Sequence, residues 1–307
     1  MNPEIPPTLT LALAQAATLG EGIQWHAPTG RWWWTDIEAA CLYAWTPGAS
    51  ATLQVRLPER VGCFVHGRSG TLLLGMAKRL ARLTLPDLQA TGNIAGEPVE
   101  ITPVEAALPT TRVNDGRCDR AGNFVFGTLD EARPRQAIGG FYQYSLAHGL
   151  RRLALDGVAI ANSICFSPDG RRMHYCDTLT RRVMVCDYDA ASAGVSEPRV
   201  FVKKDVDDCW PDGSTIDAKG CLWNAEWGHA SVARYATDGR LLARYAVPVD
   251  HVSCPALGGP AGDQLLVTTA RQELSTAALM AKPLSGSLFG MAVEPGLYLP
   301  EPLFNDA

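Results

Sequence analysis

Four side chains that end in a carboxylate or a carboxamide stand at nearly the same distance before a recurring glycine. Each precedes its glycine by eight residues, or by nine in the first case: Glu21 before Gly30, Asn114 before Gly122, Asn162 before Gly170 and Asp212 before Gly220. Oxygen donors that converge on one point are what a hard divalent cation such as Ca²⁺ requires. The spacing therefore predicts a metal site, if the fold brings the four residues to one depth.

These glycines belong to a longer sequence repeat. Each follows a small polar turn, precedes an apolar strand, and is followed by a second strand of β-branched, aromatic or leucine residues. Successive glycines lie 40, 52, 48, 50 and 42 residues apart: Gly30, Gly70, Gly122, Gly170, Gly220 and Gly262. A period of roughly 40–50 residues with several strands is typical of a β-propeller blade. We therefore predict an all-β, six-bladed β-propeller forming one domain over residues 1–307.

In a propeller the first strands of the blades line a central channel, so equivalent positions form a ring at one depth. Gly62 and Cys254 occupy this level in the two blades without a polar side chain. Two alternatives stay open at this point: a two-sheet sandwich, which the regular period disfavours, and a role for the Asn and Asp residues as turn caps.

The apolar segment from Leu9 to Gln15 precedes the first blade strand and has no blade of its own. A propeller must hide the edge of its last sheet, and joining the two ends of the chain in one blade does so. We predict that this segment is the outermost strand of the last blade and pairs near residues 287–293.

Composition narrows the class of protein further. A net charge of −5 gives no reason to expect nucleic acid. The N-terminal apolar run is too short to span a bilayer and has no basic residue before it. The nine cysteines include no CxxC pair, so we expect them to be reduced. The sequence favours a cytoplasmic monomer or weak oligomer without a membrane partner.

Other catalytic patterns are weaker. The six histidines show no zinc-binding spacing, Ser163 and Ser167 lie in no Gly-x-Ser-x-Gly elbow, and no glycine-rich phosphate loop opens a helix.

We call Glu21, Asn114, Asn162 and Asp212 the ring residues. Around them the chain resembles the gluconolactonase/regucalcin (senescence marker protein) family of sugar-lactone hydrolases. Four short motifs carry the resemblance in order along the chain: Leu19-Gly20-Glu21-Gly22, Arg112-Val113-Asn114-Asp115-Gly116, Ala161-Asn162-Ser163 and Pro211-Asp212-Gly213. It continues to the segment 268–271. Ile23 departs from the commoner Glu-Gly-Pro, but a proline lost beside Glu21 should not remove the ligand.

The resemblance implies a six-bladed propeller with one divalent cation in its channel. Glu21, Asn162 and Asp212 would bind the metal, Asn114 would lie beside it and contact substrate, and Arg112 would bind the lactone. Glu131 would be a further substrate contact, although the neighbouring Asp130 leaves that assignment open. Ca²⁺ suits mixed carboxylate and carboxamide ligands best, and Mn²⁺, Mg²⁺, Zn²⁺ and Fe²⁺ stay possible.

The expected chemistry is hydrolysis of a sugar lactone to an aldonic acid in carbohydrate catabolism. Asp212 is the candidate base that accepts a proton from the attacking water. Trp210, Trp227 and His229 are candidate sugar contacts. Two rivals stay open: another hydrolase on the same scaffold, which cleaves organophosphates or other lactones, and a non-catalytic calcium-binding or protein-interaction propeller.

Overall fold

The computed structural model describes residues 7–307, and β-strands form most of the regular structure there. The first twelve strands are β1 (Thr10–Leu13), β2 (Gly20–His26), β3 (Arg31–Asp36), β4 (Cys41–Trp45), β5 (Thr52–Arg56), β6 (Val61–His66), β7 (Leu72–Met76), β8 (Arg79–Leu83), β9 (Gly92–Ala95), β10 (Val99–Pro103), β11 (Thr111–Cys118) and β12 (Phe124–Asp130). The remainder are β13 (Phe141–Ser145), β14 (Gly149–Arg152), β15 (Ala161–Phe166), β16 (Arg172–Asp177), β17 (Arg182–Asp189), β18 (Gly194–Lys203), β19 (Trp210–Ile216), β20 (Leu222–Trp227), β21 (Ser231–Tyr235), β22 (Leu241–Ala246), β23 (Val252–Gly258), β24 (Gln264–Thr269) and β25 (Leu288–Ala292).

These strands form six sheets, which we number as blades 1 to 6 along the chain. Their strand orders are β2-β3-β4-β5-β9, β6-β7-β8-β10, β11-β12-β13-β14, β15-β16-β17-β18, β19-β20-β21-β22 and β23-β24-β25-β1. The first strand of each blade contacts the first strand of the next, and β23 returns to β2, so the ring is closed. The predicted six-bladed propeller is confirmed, and the sandwich alternative is wrong.

The repeat glycines occupy turns that only glycine adopts readily. All six have positive φ, from 64° at Gly30 to 84° at Gly122, a region where an added Cβ is strained. At Gly122 that Cβ would also lie 2.9 Å from the carbonyl oxygen of Leu303. The backbone requirement of the turn therefore explains why glycine recurs once per blade.

The last blade is closed by the N-terminal segment, as predicted. Strand β1 pairs antiparallel with β25, with Thr10 opposite Gly290 and Leu11 opposite Phe289. The pairing covers the edge that β25 would otherwise leave open. It also attaches the beginning of the described chain to the last strand of the propeller.

Blade 1 contains a strand that the repeat did not predict. The segment after β8 returns to blade 1, where β9 pairs in parallel with β5. The Arg31 guanidinium donates to the carbonyl oxygens of Leu88 at 2.9 Å and Ala90 at 2.8 Å and so holds this excursion in place.

The remaining regular structure is minor. Helix α1 (Thr276–Ala281) begins at Ser275, whose side chain accepts a hydrogen bond from the Ala278 amide. Within residues 7–307 no helix has the length and apolar character needed to cross a membrane. All nine cysteines are buried and have free thiols.

The core between blades 5 and 6 yields a test of ring closure. Leu9 is 1% exposed and packs in an apolar cluster that includes Trp223 and Phe289, whereas Leu11 on β1 is 44% exposed. We expect Leu9→Ala to lower the free energy of unfolding by about 2–5 kcal/mol because it leaves a cavity. The matched Leu11→Ala should change it by about 0.5 kcal/mol or less. Equal effects in equilibrium denaturant unfolding would contradict this account of the closure.

Candidate active site

The four ring residues lie where their strands are irregular. The pairing of each first strand with its neighbour shifts register at the ring position: between Glu21 and Gln24, between Val113 and Gly116, between Asn162 and Cys165, and between Pro211 and Ser214. Bulges of this kind re-aim a side chain relative to the strand. They account for polar side chains that turn out of the pleat at one end of the channel.

The structure brings all four ring residues to one cavity of about 230 Å³. Arg112, Trp210, Trp227 and Leu19 of the first motif line it as well. The other lining residues were not singled out by the sequence: Leu129, Arg133, Arg135, Ile160, Thr178, Leu179, Gln272 and Glu273. Pockets for drug-sized ligands occupy about 300–1,000 Å³, so this cavity suits a small ligand.

A series of hydrogen bonds, each donated toward the next residue, runs from Arg112 in blade 3 to Pro211 in blade 5. Arg112 Nη1 donates to Asn114 Oδ1 at 2.8 Å, and Asn114 Nδ2 donates to Asn162 Oδ1 at 3.1 Å. Asn162 Nδ2 then donates to Thr178 Oγ1 at 2.9 Å, which donates to the Pro211 carbonyl oxygen at 2.9 Å. The last acceptor immediately precedes Asp212. The two carboxamides are therefore structural partners as well as candidate ligands.

The two ring carboxylates are buried and line the same cavity. Glu21 is 8% exposed and Asp212 is 5% exposed. Burial, and secondarily the negative charge of Asp115, raises the pKa of Glu21 from 4.5 to about 8. Burial, followed by the charge of Glu21, raises the pKa of Asp212 well above its ordinary value. Two carboxylates buried in one cavity are stabilised by protonation or by a bound cation.

Arg112 is also buried, and burial lowers its pKa to about 10. Its Nε lies 3.5 Å from Glu131 Oε1. Glu131 itself is bound at both oxygens by Arg60, at 2.6 and 2.8 Å, and is not among the residues that line the cavity. The structure thus connects Glu131 to the site through Arg112, and its contact with substrate stays a prediction.

The other acid considered at this position, Asp130, has a different place in the structure. Its carboxylate accepts hydrogen bonds from the amides of Ala132 and Gln136 and so shapes the loop that presents Arg133 and Arg135 to the cavity.

Two indole rings stand at the rim, each backed by a neighbouring side chain. The Arg181 guanidinium lies 4.2 Å from the Trp210 ring centre, and His251 stacks on Trp227 at 4.1 Å. Aromatic rings of this kind supply an apolar surface for a sugar ring. His229, the third candidate sugar contact, is not among the lining residues.

Sequence reasoning missed Thr178, which the structure places between two ring residues. A signal was present: Thr178 follows Gly170 by eight residues, as Asn162 precedes it by eight. Because the two strands form a hairpin around that glycine, residues equally far from it return to the same end of the blade. Arg133 and Glu273, which form an ion pair at 2.8 Å across the rim, had no comparable signal.

The donor set fits a hard cation with mixed oxygen ligands. In the part of the chain that the structure describes, no three His, Cys, Asp or Glu side chains group closely enough to hold a metal ion. The candidate site instead combines two carboxylates, Glu21 and Asp212, with the carboxamide of Asn162. Two adjacent buried acids with raised pKa values are the observation that favours a cation here.

A larger cavity of about 1120 Å³ lies between blades 4 and 5 and is lined by residues including Arg172, His174 and Phe201. It contains none of the ring residues, and its carboxylates, Asp169, Asp187, Asp189 and Asp238, are all exposed. Since chemistry depends on the groups present rather than on volume, we assign the candidate active site to the smaller cavity.

The described strands thus form a closed six-bladed propeller with a small cavity, lined by oxygen-bearing side chains, at one end of its channel. The chain belongs to the SMP-30/Gluconolactonase/LRE-like family, whose model matches residues 19–271.

Curated relatives include an L-arabinolactonase of Azospirillum brasilense, 44% identical over 282 residues, which are 91% of this chain and 90% of the relative. A pentonolactonase of Haloferax volcanii is 32% identical over 265 residues, or 86% and 85% of the two chains. Among solved structures, a calcium-binding protein, regucalcin, from Agrobacterium tumefaciens is 30% identical with a TM-score of 0.85, covering 98% of this chain and 99% of its own. The family resemblance seen in the sequence motifs is confirmed.

The carboxylate pair predicts how stability changes with pH when a chelator is present. Because the pKa of Glu21 is raised from 4.5 to about 8, the folded protein holds this proton more tightly than the unfolded chain. The resulting stabilisation is complete below pH 4.5 and is lost as the pH rises through 8. We expect Glu21→Gln to flatten this fall in the free energy of unfolding, measured by denaturant titration between pH 5 and 8.5.

Glu273→Gln removes a carboxylate that is 60% exposed on the rim and serves as the matched control. It should retain the pH dependence of the parent protein. A Glu21→Gln variant with an unchanged slope would show that Glu21 is not a source of the pH dependence.

Proposed function

We propose that this protein hydrolyses a sugar lactone to the aldonic acid in carbohydrate catabolism and that the reaction depends on one divalent cation. The observation that carries the proposal is the convergence of Glu21, Asn114, Asn162 and Asp212 on one small cavity of a chain 44% identical to an L-arabinolactonase. Two relatives are named for lactones of five-carbon sugars, so a pentonolactone is the first substrate class to test.

Glu21, Asn162 and Asp212 would hold the cation, with Ca²⁺ favoured by their mixed oxygen chemistry. A bound divalent ion supplies polarisation of the lactone carbonyl and lowers the pKa of water at the site. Burial raises the pKa of both carboxylates, and the bound cation would allow them to be ionised together. This account explains why two acids are buried side by side at the channel mouth.

The chain's own groups would handle the substrate and the proton. Arg112 lines the cavity, where its guanidinium would bind lactone oxygens and favour the negative charge that develops during ester cleavage. Asn114 would contact the lactone through its carboxamide oxygen, because its amide nitrogen already donates to the Ala161 carbonyl and to Asn162. The Asp212 carboxylate would accept a proton from the attacking water. Trp210 and Trp227 would provide the apolar wall against which the sugar ring lies.

The direct test is a panel of pentono- and hexonolactones followed by proton release in a pH-stat, with and without a chelator. We expect hydrolysis that stops on chelation and returns with added Ca²⁺ or Mn²⁺. Hydrolysis that persists in chelator would exclude the metal dependence. Metal binding without turnover of any lactone would instead favour a calcium-binding propeller, in line with the name of the similar regucalcin structure.

Two variants separate the proposed roles of metal ligand and substrate contact. Asp212→Asn should lower kcat by about 10²–10⁴-fold and weaken metal binding, because an amide neither carries the charge nor accepts the proton. Arg112→Ala should mainly raise KM and keep the metal. Metal content and kinetics are measured on the same samples.

The matched control is Asp217→Asn, which makes the same change just beyond the other end of β19. Asp217 is fully buried and accepts the amides of Lys219 and Cys221 far along the strand from the cavity. It should retain the metal and turnover per folded molecule. Metal loss in Arg112→Ala, or none in Asp212→Asn, would show that the roles are assigned wrongly.

A further inference from the structure

Thr178 lies between two proposed metal ligands without being one. It begins a short 3-10 turn (Thr178–Thr180) directly after β16 and lines the cavity. Its hydroxyl accepts a hydrogen bond from Asn162 Nδ2 at 2.9 Å and donates one to the Pro211 carbonyl oxygen at 2.9 Å. One side chain thus contacts the ligand residue of blade 4 and the residue that precedes Asp212 in blade 5.

The direction of these bonds follows from the chemistry of the groups. A hydroxyl has one proton to donate, and a carbonyl oxygen only accepts. Since Thr178 gives its proton to Pro211, it must accept from Asn162, which places the NH₂ group of that carboxamide toward Thr178. The Asn162 oxygen then faces Asn114, as observed at 3.1 Å.

The other end of the chain of bonds requires the same orientation. Arg112 only donates, so Asn114 must turn its oxygen toward the guanidinium, at 2.8 Å. Its NH₂ group then donates to the Ala161 carbonyl at 3.0 Å and to the Asn162 oxygen. A donor-only group at one end and an acceptor-only group at the other leave both carboxamides one consistent orientation.

Thr178 is itself held in place by its neighbour. The Asp177 carboxylate accepts hydrogen bonds from the amides of Ala159 at 2.9 Å, Ile160 at 3.2 Å and Leu179 at 3.1 Å. It therefore joins the start of the turn to the backbone that leads into Asn162. With the main chain fixed on both sides, the hydroxyl is presented in one position.

We propose that Thr178 is a positioning residue for the cation site. It orients the Asn162 carboxamide so that the oxygen, which has a second lone pair, is directed toward the other ring residues. The inference rests on the proposed metal dependence. Residues that orient ligands in this way affect metal affinity although they do not touch the metal.

The test compares Thr178→Val, which keeps the shape and removes the hydroxyl, with Thr178→Ser, which keeps the hydroxyl. Calorimetric titration of chelator-treated protein with Ca²⁺ and with Mn²⁺ measures the affinity directly. We expect Thr178→Val to weaken binding by about 10–100-fold, whereas Thr178→Ser should stay within about twofold of the parent.

Thr180→Val is the matched control, since the exposed Thr180 hydroxyl donates only to the Asp177 carbonyl at 2.8 Å in the same turn. It should leave the affinity unchanged. A second control is the Asn162→Asp background, where no NH₂ group remains to be oriented. There Thr178→Val should change the affinity by no more than about twofold.

Parent-like affinity in Thr178→Val would overturn the inference while leaving the metal site intact. An equal loss in Thr178→Ser, or a loss of the same size in the Asn162→Asp background, would also overturn it, because the effect would then not pass through the carboxamide. If the parent protein binds neither ion, both this inference and the proposed metal dependence fail.

Discussion

The burial of Glu21 and Asp212 beside each other is the constraint around which the site is arranged. Both are less than a tenth exposed, burial raises the pKa of each, and the charge of Glu21 further raises that of Asp212. Removing charged groups from water is unfavourable unless partners replace the solvent. The partners are distributed over several blades: a backbone amide at Gly22 for Glu21, and the nearby positive charges of Arg112 and Arg117. A site with this composition is stable only if the blades hold their relative positions.

The propeller satisfies that requirement through closure. Each strand that carries a ring residue is the first of its blade and packs against first strands on both sides, so no blade moves alone. The pairing of β1 with β25 completes the ring. Because the blades are held in place, side chains can form hydrogen bonds across blade boundaries. Asn114, for example, donates to both Asn162 and the carbonyl oxygen of Ala161 in the next blade. The stability of the fold and the geometry of the site therefore have a common source.

The sequence predicted the architecture and the ring because both follow from local rules. A glycine that must adopt positive φ recurs once per blade. Residues that precede this glycine by the same number of positions therefore lie at the same depth of the channel. It did not predict β9, which leaves blade 2 to pair with blade 1 and follows no repeat. The sequence also did not predict the partner of Glu131. Its ion pair is with Arg60, which is distant in the sequence and belongs to no motif. Thr178 could have been predicted by the same count, because it follows Gly170 by eight residues.

The choice of carboxamides at two ring positions follows from the same electrostatics. A carboxylate in place of Asn162 would add another acid to a cavity where two already compete for ionisation. It would also leave the Thr178 hydroxyl with one proton and two acceptors, the new carboxylate and the Pro211 carbonyl. A carboxamide avoids both problems, because it presents an oxygen to the ring and donates from its other end. Asn114 accepts from Arg112 at its oxygen and donates to Asn162 from its amide nitrogen. Neutral groups with one donor end and one acceptor end thus extend the network without adding charge, and their directionality fixes the orientation of the Asn162 oxygen.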